Sequence, residues 1–156
     1  MRIDRPVIAG YAAFALATAV LTFISIQVPL FGDRNMTLLA ATGLAEQVGS
    51  SVRPLLFAAY LSILVPLVWK ERRAWLALAV PLLALVLMIW SAERAFAAPF
   101  GGGNAAGMAD FLGPDAAAEM RRAASEMFSF GLGFYASIAA ALYLGWLAIR
   151  RGLGRA

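Results

Sequence analysis

Along this chain apolar positions come in blocks long enough to cross a membrane, and charged positions collect between the blocks. Residues 6–32, 54–69, 74–92 and 127–149 contain no Asp, Glu, Lys or Arg. A hydrocarbon layer about 30 Å thick requires roughly 20 apolar residues at 1.5 Å rise per residue. The pattern therefore predicts an all-α integral membrane protein with four transmembrane helices, over about 6–31, 51–69, 74–93 and 127–150. The second block is short for a crossing. Its helix is expected to begin near Ser50 or Ser51, with Arg53 reaching back to the interface. The first block is longer than a signal-peptide core and no small-x-small site follows it promptly, so it reads as a span.

The connecting segments carry their own periodicities. In the first outer loop, 32–50, Met36, Leu39, Ala40, Gly43, Leu44 and Val48 recur at helical spacing behind a cap at Asp33 or Asn35, with Gly49 as a stop. This predicts a short amphipathic helix on the outer leaflet; an irregular apolar loop is the alternative, because Gly43 and two threonines weaken a helix. The inner turn 70–73 is short enough to make the second and third spans an antiparallel hairpin. In the second outer loop, 94–126, Gly101, Gly102, Gly103 and Gly107 suggest slack, and Gly113, Pro114 and Asp115 a helix start. Met120, Ala123, Met127, Phe130 and Phe134 then continue one stripe, so a single helix from about Pro114 into the fourth span is expected. A short inner tail, 151–156, ends the chain.

Composition supports this class: 62% of the 156 residues are hydrophobic and 14% charged, and the mean hydropathy is +0.78. The net charge of +4 becomes informative only by placement. With both termini inside, the inner segments hold Arg2, Arg5, Lys70, Arg72, Arg73, Arg150, Arg151 and Arg155. The outer segments hold Arg34, Arg53, Arg94, Arg121 and Arg122. This excess inside follows the positive-inside rule, with Lys70, Arg72, Arg73, Arg150 and Arg151 as the anchors. It orients the chain N-in and C-in and turns the basic pI into a topology signal, so nucleic acid is not expected as a partner. Trp69, Trp75 and Trp146 near the inner face and Trp90 near the outer one suit interfacial anchoring. Arginine in place of lysine in an alanine-rich chain suggests a GC-rich bacterial genome, hence the bacterial inner membrane.

Candidate chemistry is sparse. The chain contains no His and no Cys, which excludes thiol chemistry, disulfides, His-ligated haem, imidazole catalysis and the usual zinc sites. The glycine cluster fits neither phosphate-loop spacing, and lacks the strand and helix those loops require. Asn35-Met36-Thr37 matches a glycosylation sequon, idle in a bacterium. No ionisable residue falls in the centre of a predicted span, which argues against a proton relay or charged pathway. Among the polar groups that do, Thr18, Thr22, Ser25, Ser62, Ser129 and Ser137 can bond back to their own helices. Gln27, Tyr60 and Tyr135 could instead line a shallow outer cavity for a quinone or lipid head group. No other cofactor, and no metal, is expected.

Two constellations remain. Arg53 and Glu93 close the same side of the second and third spans and could pair, with Glu46 a competing partner. The fourth span carries Gly133, Ser137, Ala141 and Gly145 at every fourth position, and the first has Ala9, Ala13 and Ala17. Such small-residue faces let membrane helices approach closely, within one bundle or between chains.

These features predict a non-enzymatic membrane subunit, or an assembly and stabilising partner, of a larger inner-membrane complex, working through helix packing against other integral subunits and lipids. The alternative is a small homo-oligomeric carrier or channel, with proline kinks at Pro29, Pro66 or Pro81, or a quinone- or lipid-binding protein.

Overall fold

The computed structural model describes residues 4–28, 30–47, 52–69, 71–101 and 128–154, together with 113, 115, 116, 118, 119, 122 and 126. For 28, 44, 45, 47, 92–101 and 128 it describes the backbone alone. The chain is mostly helical. The elements are α1 (Arg5–Ala19), β1 (Ile24–Val28), β2 (Gly32–Met36), α2 (Leu38–Gln47), α3 (Arg53–Val68), a 3-10 helix (Arg72–Ala79), α4 (Val80–Gly101), β3 (Phe128–Phe130) and α5 (Leu132–Gly152).

Two helical stretches, Arg72–Ser91 and Leu132–Gly152, are long and apolar enough to cross a membrane, with mean hydropathies of 2.3 and 1.7. Two shorter helices join them in the bundle, α1 with 15 residues and α3 with 16. Antiparallel α1 and α5 form one closely packed pair and α3 and α4 another, while the 3-10 helix packs on both α5 and α3. Their shared core contains Val7, Phe14, Leu56, Ala59, Ile63, Leu78, Leu85, Ala141 and Leu144.

The all-α expectation is corrected by a three-stranded antiparallel sheet of order β2-β1-β3. The helix expected over 6–31 stops at Ala19. Beyond Thr22 the periodicity changes from helical to alternating, with Ile24, Ile26 and Val28 on one side and Ser25 and Gln27 on the other. An uncharged-block criterion is blind to that switch. In β1, Ile24 pairs with Met36 and Val28 with Gly32, with Leu30 and Phe31 in the turn between the strands. The Phe23 N–H extends this ladder by donating to the Met36 carbonyl at 2.7 Å.

The continuous helix expected from Pro114 is also corrected. Residues 115, 116, 118, 119, 122 and 126 are helical, but β3 separates them from α5. Phe128-Ser129-Phe130 joins the free edge of β1, pairing Ile24 with Phe130, Ser25 with Ser129 and Ile26 with Phe128. An apolar stripe at helical spacing continues through Met127 to Phe134, yet the unpaired N–H and C=O groups of β1 claim the segment.

The helix in the first loop is α2. Its cap is Thr37, whose Oγ1 accepts from the Ala40 N–H at 3.2 Å, because Asp33 and Asn35 are in β2. The second uncharged block forms α3, which begins at Arg53 rather than near Ser50 or Ser51, with Val52 at its N-cap. The third begins as a 3-10 helix, with the Val80 N–H donating to the Ala77 carbonyl. Pro81 accounts for this: it has no N–H, and its ring clashes with an α-helical carbonyl four residues earlier.

Candidate functional site

The sheet end of the bundle is built around a backbone seam between α1 and α5. The carbonyls of Thr22 and Phe23, past the end of α1, accept from the N–H groups of Gly133 at 2.8 Å and Gly131 at 2.9 Å. The seam satisfies two helix-terminal donors with carbonyls that the end of α1 would leave unpaired. Both donors are glycines because there is no room for side chains. A Cβ on Gly131 would stand 2.2 Å from the Thr22 oxygen, and one on Gly133 would stand 2.8 Å from the Ala17 and Leu21 oxygens. Phe134 then plugs the junction, stacking on Phe130 at 4.1 Å between centroids and meeting Phe23 edge-on at 5.3 Å.

The small-residue stripe is spent inside the chain. Gly133, Ser137, Ala141 and Gly145 are all buried on α5, as is Ala17 on α1, while Ala9 and Ala13 are exposed. Exposed Ala9 and Ala13 border an apolar groove of about 480 Å³ between α1 and α5, floored by Gly10 and Ala140 and flanked by Tyr143.

Of the six hydroxyls expected to bond within their own helices, Thr18, Ser62 and Ser137 do so, as their residue types favour, while Thr22 lies beyond the end of α1 and Ser25 and Ser129 are in strands. Ser62 donates to the Ala59 carbonyl at 2.7 Å, Ser137 to the Phe134 carbonyl at 2.8 Å and Thr18 to the Phe14 carbonyl at 2.8 Å. The Thr18 oxygen also shares a hydrogen bond with the Tyr60 hydroxyl, linking α1 to α3. Around this link Tyr60 meets Phe14 and Tyr11 edge-on, at 5.6 Å and 6.1 Å. Of the three residues proposed for an outer cavity, Tyr60 thus sits half-buried at a helix contact. Gln27 is exposed on β1 opposite Asp33, and Tyr135 is 61% exposed on α5. None of the three borders the α1/α5 groove.

Arg53 pairs with Glu46, Nη1 to Oε2 at 2.9 Å, and its guanidinium lies across Gly43, 3.1 Å from where a Cβ would be. It ties α2 to the start of α3. Glu93 falls on α4, and its side chain lies outside the described residues. Both partners of the Arg53–Glu46 pair are over a third exposed, so it contributes about 0–1 kcal/mol.

At the opposite end the start of α1, the end of α5 and the 3-10 helix converge. Asp4 pairs with Arg151 at 3.2 Å, and Arg151 lies over the Trp75 ring at 4.7 Å. Arg72 approaches Gly154 to within 3.3 Å of where a Cβ would be. Arg150 covers the Trp146 ring at 5.1 Å, and Arg73 is exposed. The anchors expected on one side of a membrane are therefore grouped at one end of the bundle; Lys70 lies outside the described residues. Arg150 and Arg151 also occupy the last turn of α5, where a helix dipole favours cations.

Sequence reasoning missed two features. One is Gly131, which the Gly131-Leu132-Gly133 spacing could have flagged as a close approach. The other is the hairpin tip, where Leu30 is 100% and Phe31 80% exposed and Leu30 has φ +76°. A branched side chain in that left-handed region is uncommon. The signal for it was the Pro29-Leu30-Phe31-Gly32 turn inside what looked like a span.

The glycines 102, 103 and 107 expected to provide slack lie outside the described residues. No family model, curated protein or solved structure matches this chain.

Proposed function

We propose that the chain is a four-span protein of the bacterial inner membrane, N-in and C-in, acting as a non-catalytic subunit or assembly partner of a larger membrane complex. In this reading α1, α3, the third-span helix and α5 are the spans, the sheet and α2 form an outer cap, and the basic end faces the cytoplasm. Only 33% and 39% of the most apolar windows of Arg72–Ser91 and Leu132–Gly152 are buried within the chain. Apolar surface on that scale calls for lipid or another protein. The short α1 and α3 need a locally thinned bilayer or interfacial flanks to serve as spans.

The observation that carries the partner role is the hairpin tip. The small-residue stripe packs internally, so it offers no partner face. Leu30 and Phe31, by contrast, project from the outer cap where a lone monomer leaves them in water, and they are held there by an unfavourable backbone conformation. Apolar side chains presented in this way suit the centre of a protein contact.

Mild-detergent purification from the native membrane tests the proposal. Stoichiometric co-purifying subunits that are lost from a folded Leu30→Ser, Phe31→Ser variant would support it. A chain that purifies alone, or as a homo-oligomer with reconstituted flux, would overturn it in favour of a carrier.

A further inference from the structure

We infer that the α1/α5 groove is a binding site for one anionic phospholipid of the leaflet at the basic end, with an acyl chain along the groove and the phosphate between Arg5 and Arg150. The inference rests on the membrane-spanning reading above and adds to it a specific ligand.

The groove is apolar and narrow-walled because its facing positions are small. Ala9 and Ala13 on α1 and Ala136 and Ala139 on α5 leave a trough that larger side chains would fill. It lies on the outside of the helix pair, so in a bilayer it opens to acyl chains. One end of it is cationic. Arg5 precedes Ala9 by four residues, placing it on the same face of α1, one turn beyond the groove. On α5 the stripe through Ala136, Ala139 and Tyr143 continues through Trp146 to Arg150. The Asp4–Arg151 contact at 3.2 Å brings these two helix ends to the same depth.

Among the described residues neither cation has an acidic partner. Arg151 takes Asp4 as its partner, while Arg150 lies over the Trp146 ring and is exposed. Arg5 is exposed and sits in the first turn of α1, where the helix dipole disfavours a cation. A phosphate there meets two guanidiniums together. Trp146 and Tyr143, stacked at 6.2 Å, occupy the level where glycerol and ester groups meet the acyl region. An apolar trough ending in unshared arginines and an aromatic pair complements an anionic phospholipid. A bare helix partner would leave the cations unanswered.

The full chain, delipidated in mild detergent, would be titrated by native mass spectrometry with dioleoyl phosphatidylglycerol and, separately, dioleoyl phosphatidylcholine. The first phosphatidylglycerol is expected to bind about tenfold more tightly than the first phosphatidylcholine. Arg5→Gln with Arg150→Gln should abolish that preference, and Arg73→Gln, an exposed cation at the same end but off the groove, should retain it. Ala13→Leu should weaken the first binding event for both lipids while leaving the thermal midpoint near wild type, since Ala13 is exposed. Equal affinity for the two lipids, a preference that survives the double variant, one lost equally with Arg73→Gln, or unchanged binding in Ala13→Leu would each overturn the site. Failure of the membrane reading shows separately, as release of the chain from native membranes by alkaline carbonate.

Discussion

Replacing Gly131 by alanine adds one methyl group at the point where α1 and α5 exchange backbone hydrogen bonds. The glycine has φ −85° and ψ 178°, a conformation open to any residue, so its requirement is for space. The new Cβ would stand 2.2 Å from the Thr22 oxygen and 2.8 Å from its carbonyl carbon. Those are backbone atoms, so no rotamer change relieves the clash and the two segments must separate by about 1 Å. Overpacking of this kind costs about 1–3 kcal/mol. The separation also stretches the Gly131 to Phe23 and Gly133 to Thr22 hydrogen bonds, at 2.9 and 2.8 Å, each contributing about 0.5–1.5 kcal/mol.

The sum is about 2–6 kcal/mol, which for a chain of this size lowers the thermal midpoint by roughly 4–24 °C. Circular dichroism melts of purified wild type and Gly131→Ala in the same mild detergent measure it. Gly145→Ala is the control: its Cβ would come no closer than 3.9 Å to Leu82, and alanine is the better helix former. It should melt at or above wild type. A Gly131→Ala protein within about 2 °C of wild type, a shift worth under ~1 kcal/mol, would refute the seam, as would a Gly145→Ala protein less stable than Gly131→Ala.

Further outcomes follow from the same geometry. Single cysteines at Arg34 and Leu153, both exposed in a chain that has no cysteine of its own, should report opposite sides of the membrane. An impermeant thiol reagent on intact cells labels Arg34→Cys and spares Leu153→Cys; the reverse pattern inverts the topology. Tyr60→Phe removes the bond to Thr18 while keeping both ring contacts, so it should cost roughly 0.6 kcal/mol and at most about 1.7 in equilibrium unfolding in detergent or bicelles. A larger loss would mean that the tyrosine hydroxyl has work beyond this contact. A double-mutant cycle on Arg53→Ala and Glu46→Ala should give a coupling below about 1 kcal/mol that fades with salt. Coupling of Arg53 to Glu93 in a parallel cycle, with none to Glu46, would show that the pair forms differently in the bilayer.

Much of the helical architecture was legible in the order of residues. Blocks without charge mark α3, the 3-10 helix with α4, and α5, since the absence of charge is a local property of composition. The helical spacing in the first loop marks α2, and the distribution of arginines groups the anchors at one end. The internal use of the Gly133-to-Gly145 stripe was not legible, because a small-residue face has the same sequence whether it meets its own chain or another. The same holds for Arg53, which had two acidic candidates at plausible depth until α2 brought Glu46 to 2.9 Å.

What the sequence determined by itself is the preference for an apolar surrounding and the position of each charge, both additive along the chain. Only the tertiary structure decided that residues 24–28 and 128–130 are strands. Absence of charge distinguishes neither segment from a helix, and 128–130 also fit the helical stripe that continues to Phe134. Residues 24–28 pair with the neighbouring 32–36 on one side, and 128–130, a hundred residues away, become a strand by joining the edge left open on the other. The exposed tip follows from the local hairpin, which turns the chain at Leu30, and the seam from the long-range pairing, which brings Gly131 onto Thr22.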